Sequence, residues 1–388
     1  MFRVAPHHHT MTRAVSEPHL YTYFPEPGNF KKYIKTLWIV DDALIAVRPP
    51  VTTDAGAALL DAWKAHMQTR YSMIWSTLNG YLNNEIVFHR ATNTIVITMQ
   101  ARLINIMKEH APELMDDKKS PPPPTPWHDD ILKLTLTAND LNAEKKRECS
   151  RLGAQLIFIV SNVCFFAQHP VYYVMRYNSN PSMLGWRCLI HTAHYLYGNR
   201  HVGLTLGGNS GTTITATGLT TPCLITAGCD AGAAEAGPST GGHSIEVGSK
   251  TVQVNSGQHH ATTLGSTDSE TYELSRCVAN VIGARHFMIE FGFPQNQPSP
   301  VDCDNSAGVL KAASATSDKR GVYMKRRVVF VQEAQRLEEI LVRHVPGIGN
   351  RSDIVTKVIK TKRHFESLRD LIMNVIKEQS PAIQIHFF

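Results

Sequence analysis

Lys118-Lys119-Ser120-Pro121-Pro122-Pro123-Pro124-Thr125-Pro126 is the stretch that most restricts what this 388-residue chain can fold into. Its prolines donate no backbone hydrogen bond and hold φ near −65°, so the run can occupy neither a helix interior nor a central strand. The expectation is an extended polyproline spacer over 118–130 with a folded part on each side. A ligand for a proline-reading domain is the other reading. The chain exceeds a typical single domain, so two or three cores are expected.

The remaining composition is that of a folding protein. Apolar residues make up 43% and charged residues 19%, a globular balance. The formal net charge of +6 favours polyanionic partners. The seven cysteines, Cys149, Cys164, Cys188, Cys223, Cys229, Cys277 and Cys303, include no C-x-x-C pair, which argues for reduced thiols inside a cell and against a zinc ribbon or a disulfide framework. His7, His8 and His9 read either as a metal tract or as a chance terminal run. No stretch reaches the roughly 18 apolar residues of a membrane helix, so no membrane partner is expected. Residues 1–17 form a basic leader with Arg3 and Arg13 and no acid before Glu17. A mitochondrial address is one reading of it, and a nuclear or cytoplasmic location the other.

Periodicity and punctuation give the order of elements. Two strands flank Glu26-Pro27-Gly28-Asn29, the second running from Thr36 to Val47. A helix fits Asp54 to Tyr71, strands fit Gly80 to His89 and Thr92 to Met99, and a helix fits Gln100 to His110. Beyond the proline run, helices fit Asn142 to Val163, Val171 to Tyr177 and Trp186 to Tyr197. Short strands follow at Cys223 to Gly228, His243 to Val247 and Thr251 to Asn255. A helix from Ser269 to Phe291, capped by Ser266-Thr267-Asp268, leads to a strand at Val301-Asp302-Cys303-Asp304-Asn305 and a mixed helical tail. Three strands, a helix and a strand make the order of a ribonuclease H-like α+β domain.

Four strings carry a family likeness. Gly265-Ser266-Thr267-Asp268-Ser269-Glu270-Thr271-Tyr272-Glu273-Leu274 resembles the Ser-Thr-x-x-Glu-Tyr stretch of the copia-type retrotransposon Pol polyprotein. Val301-Asp302-Cys303-Asp304-Asn305-Ser306-Ala307 is similar to its Tyr-Cys-Asp-Asn-x-Ser-Ala strand end, and Arg351-Ser352-Asp353-Ile354-Val355-Thr356-Lys357 to its Ala-Asp-x-Leu-Thr-Lys element. Gly228-Cys229-Asp230-Ala231-Gly232 stands in place of its Tyr-Ser-Asp-Ala-Asp strand. Upstream, Ile39-Val40-Asp41-Asp42 resembles the Tyr-Val-Asp-Asp of the reverse transcriptase palm. The resemblance implies an α+β chain: a partial reverse transcriptase palm and thumb over 18–117, the linker over 118–130, a helical connection over 131–215, a ribonuclease H-like mixed sheet with flanking helices over 216–375, and a tail over 376–388. Asp41 and Asp42 lack the third carboxylate of a polymerase, so DNA synthesis is not expected and they read as a palm remnant.

By the same resemblance Asp230, Glu270, Asp304 and Asp353 are the catalytic and Mg²⁺-binding residues. Hydrolysing a phosphodiester with two hard cations calls for such an oxygen-rich cluster. Asp302 is expected to stand outside it. Departures from the family concentrate positive charge where it has a strand. Lys319, Arg320, Tyr323, Lys325, Arg326 and Arg327, with Lys357, Lys360, Lys362 and Arg363, form the expected nucleic-acid-binding set. Two functions follow. One is a domesticated nucleic-acid-binding subunit of a ribonucleoprotein such as a mitochondrial ribosome, contacting RNA and other subunits without a cofactor. The alternative is an active, Mg²⁺-dependent ribonuclease H cutting the RNA strand of RNA/DNA hybrids.

Overall fold

The computed structural model describes residues 3–4, 9–15, 19–23, 25, 33–39, 42–48, 53–69, 72, 74–75, 80–89, 91–92, 94–138, 140–208, 224–232, 239–261, 263–291, 293–305, 324–347 and 350–375. His7, His8, Asp41, Cys223, Lys319, Arg320, Tyr323 and the tail 376–388 therefore lie outside the described residues. The protein is a mixed α+β molecule that divides into two compact units, 1–86 with 283–294, and 87–282 with 295–388. Among the described residues no helix is long and apolar enough to cross a membrane.

In the first unit, β1 (Arg3–Val4), β2 (His9–Arg13), β3 (Leu20–Tyr23), β4 (Tyr33–Ile39) and β5 (Asp42–Arg48) form an antiparallel sheet in chain order. The single strand expected over Thr36–Val47 is thus a hairpin, with Trp38 opposite Ala43 and Ile39 opposite Asp42. Helix α1 (Asp54–Gln68) starts where Thr53 Oγ1 accepts from the Gly56 amide at 3.2 Å. The strands β6 (Gly80–Tyr81) and β7 (Asn84–His89) turn through Leu82 and Asn83, both at positive φ. The division between units falls within β7.

In the second unit, β8 (Thr94–Thr98) pairs with β9 (Leu204–Gly207). Between them run α2 (Gln100–His110), α3 (Ala143–Asn162), α4 (Gln168–Met175) and α5 (Met183–Gly198). Leu103, Leu156, Ile159 and Leu189 of these helices share one apolar core with Val355, Phe365 and Leu368 from the end of the chain. The connection expected over 131–215 therefore has no separate core.

The proline run belongs to this core instead of spanning a gap. Pro122 packs on Gly198 so closely that a Cβ there would lie 2.3 Å from its Cγ. The Thr125 carbonyl accepts from His191 Nε2 at 3.0 Å, and the Pro126 carbonyl from Thr192 Oγ1 at 2.9 Å. Trp127 is 2% exposed, edge-on to His169. Extended backbone still presents carbonyls and apolar rings, and here both are used, so this segment is not the boundary between the units.

The second sheet has the order β12–β11–β10–β13–β14. Strands β10 (Ile225–Gly232), β11 (Thr240–Val247) and β12 (Lys250–Gln258) are antiparallel, while β13 (Ser299–Cys303) and β14 (Ile340–His344) run parallel to β10. Helix α6 (Ser266–Glu290) connects β12 to β13. Where a cationic strand was expected, α7 (Lys325–Arg336) is a helix burying Val331 and Ala334 at a spacing of three, and β14 follows it. A 3-10 turn at Arg351–Val355 and α8 (Lys362–Ile372) complete the unit.

Candidate active site

The site grows from the parallel pairing of β10 with β13, which sets Cys229 opposite Cys303. One residue further on each strand stand Asp230 and Asp304, so the backbone brings two carboxylates to one sheet edge. Asp230 is 4% exposed and its register partner across β11 is Gly242. The side without a side chain at Gly242 admits the 3-10 turn, where an added Cβ would fall 2.6 Å from Val355 Cγ2.

Asp353 arrives on that turn. Asn350 caps it by accepting from the Ser352 amide at 3.0 Å, and Ser352 Oγ ties it to the sheet by donating to the Gly228 carbonyl at 2.9 Å. One oxygen each from Asp230, Asp304 and Asp353 lies within 4.8 Å of the others. Glu270 enters from α6, and it, Asp304 and the Cys303 thiol form a second group of the same compactness. Asp304 is common to both groups. The four acids anticipated for the site are thus brought together, with Asp304 at the centre.

Asp302 is engaged elsewhere. It lies opposite Arg343 of β14 and accepts from Arg343 Nε at 2.8 Å and Nη2 at 3.0 Å, a bidentate surface pair.

The electrostatics are those of crowded carboxylates. Burial, then the fields of Asp304 and Asp230, push the Glu270 carboxyl up to about 7. Burial also raises Asp353, against the lowering influence of Lys357. Lys357 supplies a counter-charge, its Nζ 2.7 Å from Asp353 Oδ1 and 3.5 Å from Asp230 Oδ2. Burial works against its charge, but the hydrogen bond to Asp353 and the nearby carboxylates leave its pKa raised. Thr356 Oγ1 donates to the same Asp230 oxygen. Glu270 Oε2, by contrast, is buried without a hydrogen-bond partner.

A Glu270 oxygen buried without a hydrogen-bond partner and grouped with Asp304, which is itself grouped with Asp230 and Asp353, makes a donor set that fits a hard divalent cation such as Mg²⁺. Asp230, Glu270, Asp304 and Asp353 are the residues that would hold it. The Cys303 thiol is 1% exposed, and its hydrogen bond with Cys229, then burial, keep it protonated, so the oxygens are the available ligands.

Beneath the acids lies a network that sequence reading did not single out. Glu273, one turn after Glu270, is fully buried; its Oε1 accepts from His243 Nδ1 at 2.6 Å, and its Oε2 from His259 Nε2 at 3.2 Å and Arg276 Nη1 at 2.9 Å. Burial alone would raise this carboxyl, but the two histidine hydrogen bonds and the charges of His243 and Arg276 take it down to about 2. Gly241 has room for no side chain against it, since a Cβ would fall 2.0 Å from Glu273 Oε2. The network locks α6 onto β11 and β12 and thereby fixes where Glu270 stands.

The expected cationic set is dispersed. Lys325 and Arg326 are exposed at the start of α7. Arg327 is structural: its guanidinium lies 3.6 Å from the Tyr272 ring centre and donates to Ser275 Oγ. Lys360 donates to the Asp129 carbonyl at 3.0 Å, Lys362 lies 4.0 Å from Glu366, and Arg363 is exposed. Lys357 alone of the described members stands among the acids. Asp42 opens β5 in the other unit.

No protein-family model and no curated protein matches the chain. Among solved structures it is similar to LC11-RNase H1, isolated from compost by a metagenomic approach, at 19% identity, covering 34% of this chain and 91% of that one with a TM-score of 0.29. It is similar to the N-terminal RNase H domain of a Mycobacterium tuberculosis protein at 13% identity, covering 38% of this chain and 96% of that one, TM-score 0.27. A third similarity is to the foamy viral protease-reverse transcriptase, at 12% identity over 54% of this chain and 36% of that one, TM-score 0.30.

Proposed function

We propose that the second unit is a Mg²⁺-dependent nuclease of the ribonuclease H type, acting on the RNA strand of an RNA/DNA hybrid. The observation that carries the reading is the convergence of Asp230, Glu270, Asp304 and Asp353 with one Glu270 oxygen left buried and unpartnered. Divalent ions bound at such a cluster activate water and stabilise the departing oxygen of a phosphodiester. The chain's own part is to hold its oxygens at fixed positions on two parallel strands, a helix and a turn. Lys357 keeps the aspartates from repelling one another before a cation arrives. The mixed five-stranded sheet with α6 as its crossover, and the four strings in copia-type order, support the substrate class and an origin in such an element.

Lys357 also favours a second reading. An ammonium group already paired with Asp353 and near Asp230 offsets part of the charge that would otherwise recruit a metal, as suits a fold kept for nucleic-acid binding within a ribonucleoprotein. The deciding experiment is Mg²⁺-dependent cleavage of the RNA strand of a hybrid by the full chain beside Asp304→Asn. Changes one shell removed from a metal already cost about 10–100-fold, so loss of the shared ligand is expected to exceed about 100-fold. Binding of the hybrid without cleavage by the wild type would overturn the nuclease reading in favour of the second.

A further inference from the structure

Arg176 follows the last residue of α4 and is half-buried. Its Nη2 donates to Thr240 Oγ1 at 2.7 Å, and its guanidinium lies 4.9 Å from the ring centre of Tyr173. Tyr177 stands beside it, its ring centre 6.1 Å from that of Tyr173. In the same unit the half-buried Arg276, Arg351 and Arg369 each face a carboxylate, Glu273, Glu246 and Asp370 respectively. No carboxylate faces Arg176 among the described residues; its titratable neighbours are Tyr173 and Tyr177, both neutral at pH 7, and His169. Burial lowers its pKa, and the tyrosines offset this only in part. A partly desolvated guanidinium with no carboxylate against it among the described residues is a receptor for an anion.

Its place relative to the acids is set by strand register. Thr240 opens β11 opposite Gly232, which closes β10 two residues beyond Asp230. Alternation puts Asp230, Gly232, Thr240 and Gly242 on one face, and the approach of Thr356 to Asp230, Gly232 and Gly242 shows that face directly. Arg176 therefore stands at the same sheet edge as Asp230 and on the same face, one strand further along. The opposite end of α4 reaches the site as well, with His169 beside the Lys357 backbone and its ring 6.3 Å from Tyr173.

We propose that Arg176, Thr240 and the Tyr173–Tyr177 pair form a phosphodiester-binding site that grips the nucleic-acid strand next to the phosphate presented to the carboxylates. The inference rests on the nuclease reading above and adds a direction to it: the strand leaves the acids across β11 toward α4. A guanidinium fork with a hydroxyl beside it matches the oxygens of a backbone phosphate. The tyrosine rings offer apolar flanks for a sugar or a base.

The test is binding of a fluorescently labelled RNA/DNA hybrid in Mg²⁺ at several salt concentrations, in an Asp304→Asn background so that the strand is not cut. Adding Arg176→Ala is expected to weaken affinity roughly tenfold or more. The slope of log K against log salt should fall by about 1. Arg176→Lys should keep the slope and lose part of the affinity, and Thr240→Val should weaken binding in the same direction; these two decide the matter if the alanine variant does not fold. Unchanged affinity and slope in a folded Arg176→Ala protein overturn the site. Cleavage by the wild type with no Arg176 effect overturns this inference alone, and an Arg176 effect without wild-type cleavage overturns the nuclease reading alone. A wild type that binds no hybrid overturns both.

Discussion

At the scale of single residues, Glu270 and Lys357 set how the site responds to protons and cations. The Glu270 carboxyl, raised to about 7 by burial and by Asp304 and Asp230, must lose its proton to act as a ligand. The apparent affinity for Mg²⁺ is therefore expected to rise as pH increases through 7, and Mg²⁺-induced thermal stabilisation should be larger at pH 8 than at pH 6. In Glu270→Gln that pH difference should shrink; an unchanged difference would remove Glu270 from the site. Lys357→Met takes away the built-in counter-charge. Without Mg²⁺ the variant should be less stable, because Asp230 and Asp353 are left crowded, and the stabilisation gained on adding Mg²⁺ should exceed that of the wild type. Differential scanning fluorimetry across a Mg²⁺ titration reads both. The acids were legible in the sequence because each sits in a short string with a family likeness. Lys357 was legible as a positive charge closing one of those strings but not as the partner of Asp230, and the roles of Arg176 and Glu273 were not legible, since they depend on neighbours from other elements: Thr240 in one case and two histidines in the other.

At the scale of elements, α6 and the sheet beneath it are held by a buried charge, which makes that contact acid-sensitive. Glu273 sits at about 2 in the folded protein, below the ordinary value of 4.5. A depressed carboxyl contributes stability that is present above its unfolded pKa and lost as pH falls from about 4.5 toward 2. Glu273→Gln should cost roughly 3–5 kcal/mol at pH 7, since the amide keeps one accepting oxygen but loses the charge and sets an NH₂ against the donors His243, His259 and Arg276, and should flatten the acid limb of the stability curve. Urea denaturation at pH 7, 5 and 3 checks both. The helices α2, α3 and α6 could be read to within a few residues because apolar positions recur along one face, and Asn142 marks the start of α3 as a cap, whereas α2 starts without a side-chain cap and the expected cap Ser266-Thr267-Asp268 is the first turn of α6 itself. The α7 segment misled because Lys325-Arg326-Arg327 conceals the spacing of Val331 and Ala334, and the hairpin of β4 and β5 misled because Trp38 and Ile39 on one strand and Ala43 and Leu44 on the other read in sequence as one apolar run.

At the scale of the whole molecule, the core of the second unit draws on distant parts of the chain. Pro122 against Gly198 and Phe365 among the helices close the same interior. Gly198→Ala should destabilise this unit by about 1–3 kcal/mol, since a rigid proline ring and not a flexible side chain stands in the way. Chemical denaturation followed by tryptophan fluorescence, with Trp127 inside this core, measures it, and a neutral effect would mean that the proline run yields easily. That run shows the limit of local reading most plainly. Missing amide donors and a fixed φ say what a segment cannot form, but only the carbonyl acceptors and the glycine opposite decide whether it spans a gap or fills one.

The carboxylates that meet around Asp304 lie on β10, on α6, after β13 and in the turn at Arg351–Val355. Such a cluster consists almost wholly of contacts between sequence-remote positions, the kind that form late because loop closure must precede them. A ribosome-bound chain has no complete cluster until Asp353 and Lys357 have emerged, and a refolding chain none until the sheet has closed. Tight Mg²⁺ uptake should then lag behind recovery of helical signal after dilution from denaturant, which makes the cation a timer for the last step of folding.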